Sequence, residues 1–376
     1  MIYLDYASAT PVDKEVLDVF INANNDYFAN PNSMHIMGKL AKSKLDSASN
    51  SIAERLGVKE NELIYTSGAT ETNNLVIKGI ARRYKNFGKH ILLSSLEHQS
   101  LVAPATSLEK EGFEVELIPL DKNGKVDLEE LKDMIRDDTI LVSVTSVDSE
   151  LGIIQPINEI GELLKEYKHC IFHTDASQAI GKIPINFSNV DLVTIAPHKF
   201  YGLNGTGLLI KKEHVELIPL IEGGRSTTSY RSGTPVLPAI LALDKALELA
   251  INNQEKRTKI VGKYNEMIIS RLKTYPEVHI NSNKYSINYI INFSIKNTNS
   301  TDFVDYMSKN NICLSAKTSC CPVDAPSKLV YALTKSKDLS TTSVRISLSH
   351  LTTEQEISEF LKVFDNFYKE KINGKI

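Results

Sequence analysis

Between residues 50 and 210, seven short β-rich runs alternate with longer amphipathic stretches: Glu62–Thr66, His90–Ser94, Glu114–Ile118, Thr139–Thr145, Cys170–Thr174, Asp191–Ile195 and Gly207–Ile210. Such alternation predicts an α/β fold. Several runs are apolar throughout instead of alternating, the pattern of strands buried on both faces. The expectation is a large domain with a mostly parallel seven-stranded sheet sandwiched by helices.

A helical pattern from Leu237 to about Tyr275 carries apolar residues through Ile240, Leu241, Leu243 and Leu247, then turns polar at Asn252-Asn253-Gln254. The domain boundary is placed there, with a large domain at 15–252 and a smaller α+β C-terminal domain at 253–376. Within the latter, Ser286–Ile295, Ile312–Ser315 and Ser343–Leu348 read as strands, and Thr353–Lys369 as a closing helix opened by Thr352-Thr353-Glu354-Gln355. Residues 1–14 are assigned to an N-terminal arm packing with the small domain.

The length of 376 residues suits two such domains, and 42% hydrophobic with 24% charged residues excludes intrinsic disorder. Lys plus Arg number 43 and Asp plus Glu 46, a net charge of −3 that gives no reason to expect nucleic acid as a direct partner. No apolar run reaches membrane-spanning length, and Asp5 interrupts the start before a signal-peptide core develops, so a cytoplasmic location is expected. The four cysteines, Cys170, Cys313, Cys320 and Cys321, form no disulfide scaffold and no zinc spacing, so no metal is expected. Cys320 and Cys321 stand in the polar, turn-prone Ser319–Pro322, although a free thiol prefers burial.

In an open parallel sheet, ligands bind beyond the carboxyl ends of the strands, so polar residues just after apolar runs carry the information. After Leu63-Ile64-Tyr65 comes Thr66-Ser67-Gly68-Ala69-Thr70-Glu71, a turn that opens a helix and either cradles a phosphate or simply caps it. Glu97-His98 follows the next run, where a lone histidine is more often structural than functional. Asp175, in Asp175-Ala176-Ser177-Gln178, is either a helix cap or an acid paired with a cationic ring nitrogen. His198-Lys199 precedes a glycine-rich stretch, and its amine is either solvated or set to form a Schiff base with an aldehyde cofactor. Their coincidence on one side of one sheet favours the functional readings.

Those residues, with Tyr3-Leu4-Asp5-Tyr6-Ala7, Asn30-Pro31-Asn32-Ser33-Met34-His35, Arg231-Ser232-Gly233-Thr234 and Val344-Arg345-Ile346-Ser347, make the chain resemble the NifS/IscS-type cysteine desulfurases over nearly its whole length. The resemblance implies pyridoxal 5'-phosphate, fold type I of that cofactor's enzymes, and release of L-alanine from L-cysteine with persulfide formation. It implies that Lys199 holds the cofactor and moves the Cα proton, that Asp175 pairs with the ring nitrogen and that His98 stacks on the ring. Gln178 would contact the ring hydroxyl, and Ala69, Thr70 and His198 the phosphate. Thr234 would reach the phosphate of a partner subunit, which implies a homodimer, and Arg345 would clamp the substrate carboxylate with Asn30 beside it. Cys320 aligns with the sulfur-accepting nucleophile, with Cys321 as a substitute or disulfide partner; a sulfur-acceptor or scaffold protein would take the sulfur onward.

Three departures from the family pattern stand out. Asp148-Ser149-Glu150 replaces Asn-Asn-Glu, so Ser149 stands where an amide contacts cofactor or substrate. Ala196 replaces a phosphate-binding serine, and Arg225 to Tyr230 departs from the usual run. The alternatives carried with the desulfurase reading are a related lyase or transferase for another amino acid such as selenocysteine, and a non-catalytic homologue.

Overall fold

The computed structural model describes residues 1–224, 227–316 and 325–372. Twelve strands occur among them: β1 Ile2–Tyr3, β2 Leu63–Thr66, β3 His90–Ser94, β4 Glu114–Ile118, β5 Thr139–Ser143, β6 Ile171–Asp175, β7 Leu192–Ile195, β8 Gly207–Lys211, β9 Val278–Ile280, β10 Ile290–Ile295, β11 Ile312–Cys313 and β12 Ser343–Ser347. Seven form one sheet in the order β2-β8-β7-β6-β5-β3-β4. From β7 to β4 every pairing is parallel, whereas β8 runs antiparallel to both β7 and β2. The cause is the connection: only the 3-10 turn Pro197–Lys199 lies between β7 and β8, and a parallel return needs a crossover of a dozen or more residues, usually a helix.

The uniformly apolar strands are buried on both faces, as their composition requires. Ile91 and Leu93 enter one core with Leu75, Val76 and Ile80 of the helix Ala69–Tyr84, while Leu92 enters the other with Leu45, Ile52 and Leu243. Successive strand residues point to opposite faces, so both need apolar cover. At the rim, Gly207 lets the first turn of β8 pass under Gly68: a Cβ there would lie 2.5 Å from Thr66 Oγ1 and 2.7 Å from the Gly68 backbone.

The C-terminal part holds a three-stranded antiparallel sheet, β12-β10-β9, and β1 pairs in parallel with β11. Phe303 packs against Phe293 and Phe364 at centroid distances of 6.0 and 5.7 Å. The long helical pattern is two helices, Leu237–Asn252 and Gln254–Leu272, broken at Asn253. β10 starts at Ile290, later than the sequence pattern suggests, because Ser286 bridges Ile153 and the Ile287 N–H donates to Gly152 O. The last helix, Glu354–Phe367, opens with a full capping box: Thr353 Oγ1 accepts from the Glu356 N–H, and the Glu356 carboxylate accepts from the Thr353 N–H. Among the described residues, no helix is long and apolar enough to cross a membrane.

Candidate active site

The carboxyl ends of β2, β3, β5, β6 and β7 open on one edge of the sheet, where a cleft of about 370 Å³ is lined by Ala69, Thr70, His98, Ser149, Asp175, Gln178, His198, Lys199 and Arg345, among others. The residues singled out in the sequence at successive strand ends therefore converge. Asn30 and Thr234 do not line this cleft; both are exposed. Cys320, Cys321, Arg225 and Ser226 lie outside the described residues.

β2 delivers the turn Ser67-Gly68 to the helix Ala69–Tyr84, and Gly68 takes φ +150, a conformation that suits glycine. The turn is held by Glu71, which accepts from the Ser67 N–H at 2.7 Å and from Arg231 Nε at 3.0 Å. Burial would raise the Glu71 carboxyl, but the hydrogen bonds from Arg231 and Ser67 outweigh it and keep the group below its ordinary range. The first-turn N–H groups of this 16-residue helix thus open into the cleft with the positive end of its dipole.

β6 ends on Asp175, 7% exposed, whose Oδ1 accepts from the Ser177 N–H at 2.9 Å and Oδ2 from Asn73 Nδ2 at 3.0 Å. After β3, Glu97 is buried and His98 caps the helix Gln99–Leu108 through Nδ1. The Glu97 carboxyl is pushed up to about 8 by burial; Ser94 Oγ and the Thr145 N–H both donate to its Oε1, while Oε2 has no hydrogen-bond partner. His98 is lowered, chiefly by burial.

After β7, Lys199 Nζ donates to Ala7 O at 2.9 Å and Ser8 O at 2.6 Å, so the N-terminal segment forms part of the cleft wall. His198 is depressed to about 4 by burial and then by the Lys199 charge, and its Nδ1 is buried without a partner. Gln178 is fixed at both ends, its Nε2 donating to Ala7 O at 2.9 Å and its Oε1 accepting from Lys182. The Lys182 amine is lowered to about 7 by burial and by the charges of Lys199 and Arg345.

Arg345 comes from β12 and is 1% exposed. Its Nη1 donates to Ser149 O at 2.6 Å and its Nη2 to Asp5 Oδ1 at 2.8 Å and Ser8 Oγ at 2.6 Å, while Nε has no hydrogen-bond partner. Sequence reasoning passed over Asn73 and Ser100, which hold Asp175 and His98 from behind the cleft, and gave no role to Ser177, which lines it. A buried asparagine among Leu75, Val76 and Ile77 was the one local sign, since a polar group on an apolar helix face must find a partner.

A family model described as aminotransferase class-V matches residues 2–360. The cysteine desulfurase IscS of Dictyoglomus turgidum is 36% identical over 371 residues, covering 97% of this chain and 93% of that protein. That of Rickettsia prowazekii is 38% identical over 366 residues, covering 95% and 88%. A solved structure described as a NifS-like protein superposes with a TM-score of 0.92 at 30% identity, covering 98% of this chain and 99% of that one. With the family model, the full-length relatives and the overall superposition in agreement, the chain belongs to the class-V aminotransferase family and, within it, to the cysteine desulfurases of the IscS and NifS type.

Proposed function

We propose that this protein is a pyridoxal-phosphate-dependent cysteine desulfurase that releases L-alanine from L-cysteine and passes the sulfur to its own Cys320 as a persulfide. The observation that carries the reading is the meeting of Lys199, Asp175, His98 and Arg345 at one cleft. An amine, a carboxylate, an imidazole and a guanidinium in that space suit an amino-acid substrate and an aldehyde cofactor.

The residues present fit that cofactor. His198 Nδ1 and Ser177 Oγ are buried without partners at the cleft, and the first turn of Ala69–Tyr84 offers unpaired backbone donors to an anion. When bound, pyridoxal 5'-phosphate supplies an aldehyde for amine capture and a ring that delocalises negative charge from the amino-acid Cα. Lys199 would hold it covalently and later move the Cα proton at Nζ. Asp175 would pair with the ring nitrogen, oriented by Asn73 and the Ser177 N–H. His98 would lie against the ring, Gln178 would contact the ring hydroxyl, and Ala69, Thr70 and His198 would hold the phosphate. Arg345 would clamp the substrate carboxylate, with its orientation set by Asp5, Ser8 and Ser149. The Cys320 thiolate would form a new S–S bond with the substrate sulfur as the C–S bond breaks, the electron pair staying with the alanine carbon.

The functional unit in this reading is a homodimer. Asn30 and Thr234 are exposed, and Phe28, Met34 and Ile36 near Asn30 are 76%, 89% and 83% exposed, an apolar surface suited to a second copy. The sulfur would then go to an acceptor or scaffold protein in the cytoplasm, where thiols stay reduced. The deciding experiment loads the purified protein with cofactor, adds L-cysteine under mild reductant, measures alanine, and locates added sulfur by mass spectrometry. Alanine with a sulfur adduct on Cys320 supports the proposal; bound cofactor without alanine rejects it.

A further inference from the structure

Asn73 and Ser100 lie outside the strand-end motifs, yet they join the two sides of the cleft. Asn73 is fully buried and Ser100 is 7% exposed. The Asn73 amide nitrogen donates to Asp175 Oδ2 at 3.0 Å and to Ser100 Oγ at 2.8 Å. Ser100 Oγ in turn lies 2.8 Å from His98 Nδ1, and the Ser100 N–H donates to the same nitrogen at 3.1 Å.

Donor counting fixes the direction of this chain. The Asn73 amide cannot be reversed, because its oxygen would then face the carboxylate. Both of its hydrogens are therefore committed, one to Asp175 and one to Ser100. A serine hydroxyl has one hydrogen, and the neighbouring acceptor for it is His98 Nδ1. That nitrogen thus accepts twice, from a hydroxyl and from a backbone N–H, and the neutral ring carries its hydrogen on Nε2.

We propose that the Asn73 and Ser100 side chains are positioning groups that reinforce the neutral, Nε2–H form of His98 set by the Ser100 N–H, and tie it to Asp175. Protonating Nδ1 would set a new hydrogen against two donors, so the pair opposes the imidazolium form. The charged groups acting on His98 are Asp175, Lys199 and Glu150; two of these favour the imidazolium, and Lys199 opposes it along with burial. The proposal extends the desulfurase reading, but the chain of hydrogen bonds stands without cofactor or substrate, so the two can fail separately.

The test is nitrogen-15 histidine NMR on the full-length protein, free of cofactor and loaded with it, with the His98 signal assigned by its loss in His98→Gln. The wild type is expected to show the Nε2–H tautomer. Ser100→Ala removes one of the two donors and should raise His98 proton affinity about five- to tenfold, the worth of one hydrogen bond, while the backbone N–H that remains keeps the Nε2–H tautomer. Ser100→Thr, which keeps a hydroxyl, should restore the wild-type proton affinity. Asn73→Ala, a second route to the same loss, should move the His98 titration in the same direction. An Nδ1–H tautomer in the wild type, or a His98 signal unmoved by Ser100→Ala and Asn73→Ala, would overturn the proposal. These readouts do not depend on alanine production.

Discussion

Arg345 Nη2 donates to Asp5 Oδ1 at 2.8 Å, joining residues 340 positions apart along the chain. The N-terminal segment thereby holds a guanidinium that the last strand of the fold presents to the cleft. Arg345→Lys keeps the charge but loses the fork that meets Ser149, Ser8 and Asp5 together, and should raise KM for L-cysteine roughly tenfold or more, with a smaller effect on kcat. Arg345→Ala additionally leaves the half-buried Asp5 held by Ser8 Oγ without its cation and should cost about 1–3 kcal/mol of stability. Steady-state kinetics and urea unfolding separate these effects, and an unchanged KM in the lysine variant counts against a carboxylate clamp.

Cys320 and Cys321 are chemically alike, so their roles divide only by experiment. Cys320→Ala should retain bound cofactor yet lose persulfide and alanine formation at least a hundredfold, while Cys321→Ala should keep most of the activity. Cofactor absorbance, alanine assay and intact-mass measurement check this. Equal activity in both variants would remove Cys320 as the nucleophile.

Glu97 makes the stability of the fold depend on pH in an unusual direction for a carboxylate. Its folded value is raised to about 8 by burial, above the ordinary value of 4.5, so between those limits the native state binds more protons than the unfolded chain. Its contribution to stability is therefore complete below about pH 4.5 and is lost as pH rises to about 8. Wild-type stability relative to Glu97→Gln should fall across that window by up to about 1.4 kcal/mol per pH unit. Urea unfolding of the two proteins at several pH values reads this difference; parallel curves would mean that Glu97 is ionised throughout.

Three histidines, His173 buried and the other two half-buried, push the other way. His173, His198 and His350 are each depressed to about 4, chiefly by burial, from an ordinary value of 6.5. Between those limits the unfolded chain binds the additional protons, so their contribution to stability is lost as pH falls from about 6.5 to about 4. In the Glu97→Gln background the urea midpoint should therefore drop through that range. Histidine NMR titration of the native protein should show all three still neutral at pH 6.

Thr353→Ala should cost about 1 kcal/mol, because the capping box loses the hydroxyl that accepts from the Glu356 N–H. Thr353→Ser should recover most of it. The helix it opens buries Phe360 and Phe364, so the loss should appear in global unfolding.

Local chemistry was readable along the chain. Apolar runs such as Ile91-Leu92-Leu93 called for strands covered on both faces, and Leu92 does pack in a different core from its two neighbours. Thr352-Thr353-Glu354-Gln355 announced a helix start, and the box that forms there pairs Thr353 with Glu356, one residue further on. His98, Asp175 and Lys199 stood out because each follows an apolar run, and a sheet with parallel strands sends such positions to one edge. The order of strands in that sheet was not readable, nor was the reversal of β8, which follows from a return without a crossover helix.

Partnerships between distant residues also lay beyond the sequence. Asn73 is set apart locally only by the apolar residues that follow it, and Ser100 looks like an ordinary first-turn serine; their roles exist only because the helices Ala69–Tyr84 and Gln99–Leu108 pack against each other beside β6. Likewise Asp5 acquires its meaning from Arg345, and Glu97 its raised carboxyl value from the depth at which the sheet edge encloses it. Secondary structure follows from patterns a few residues long, which a sequence displays directly. Hydrogen-bond direction, charge pairing and burial depend on which surfaces meet, and those are set when the sheet closes against its helices.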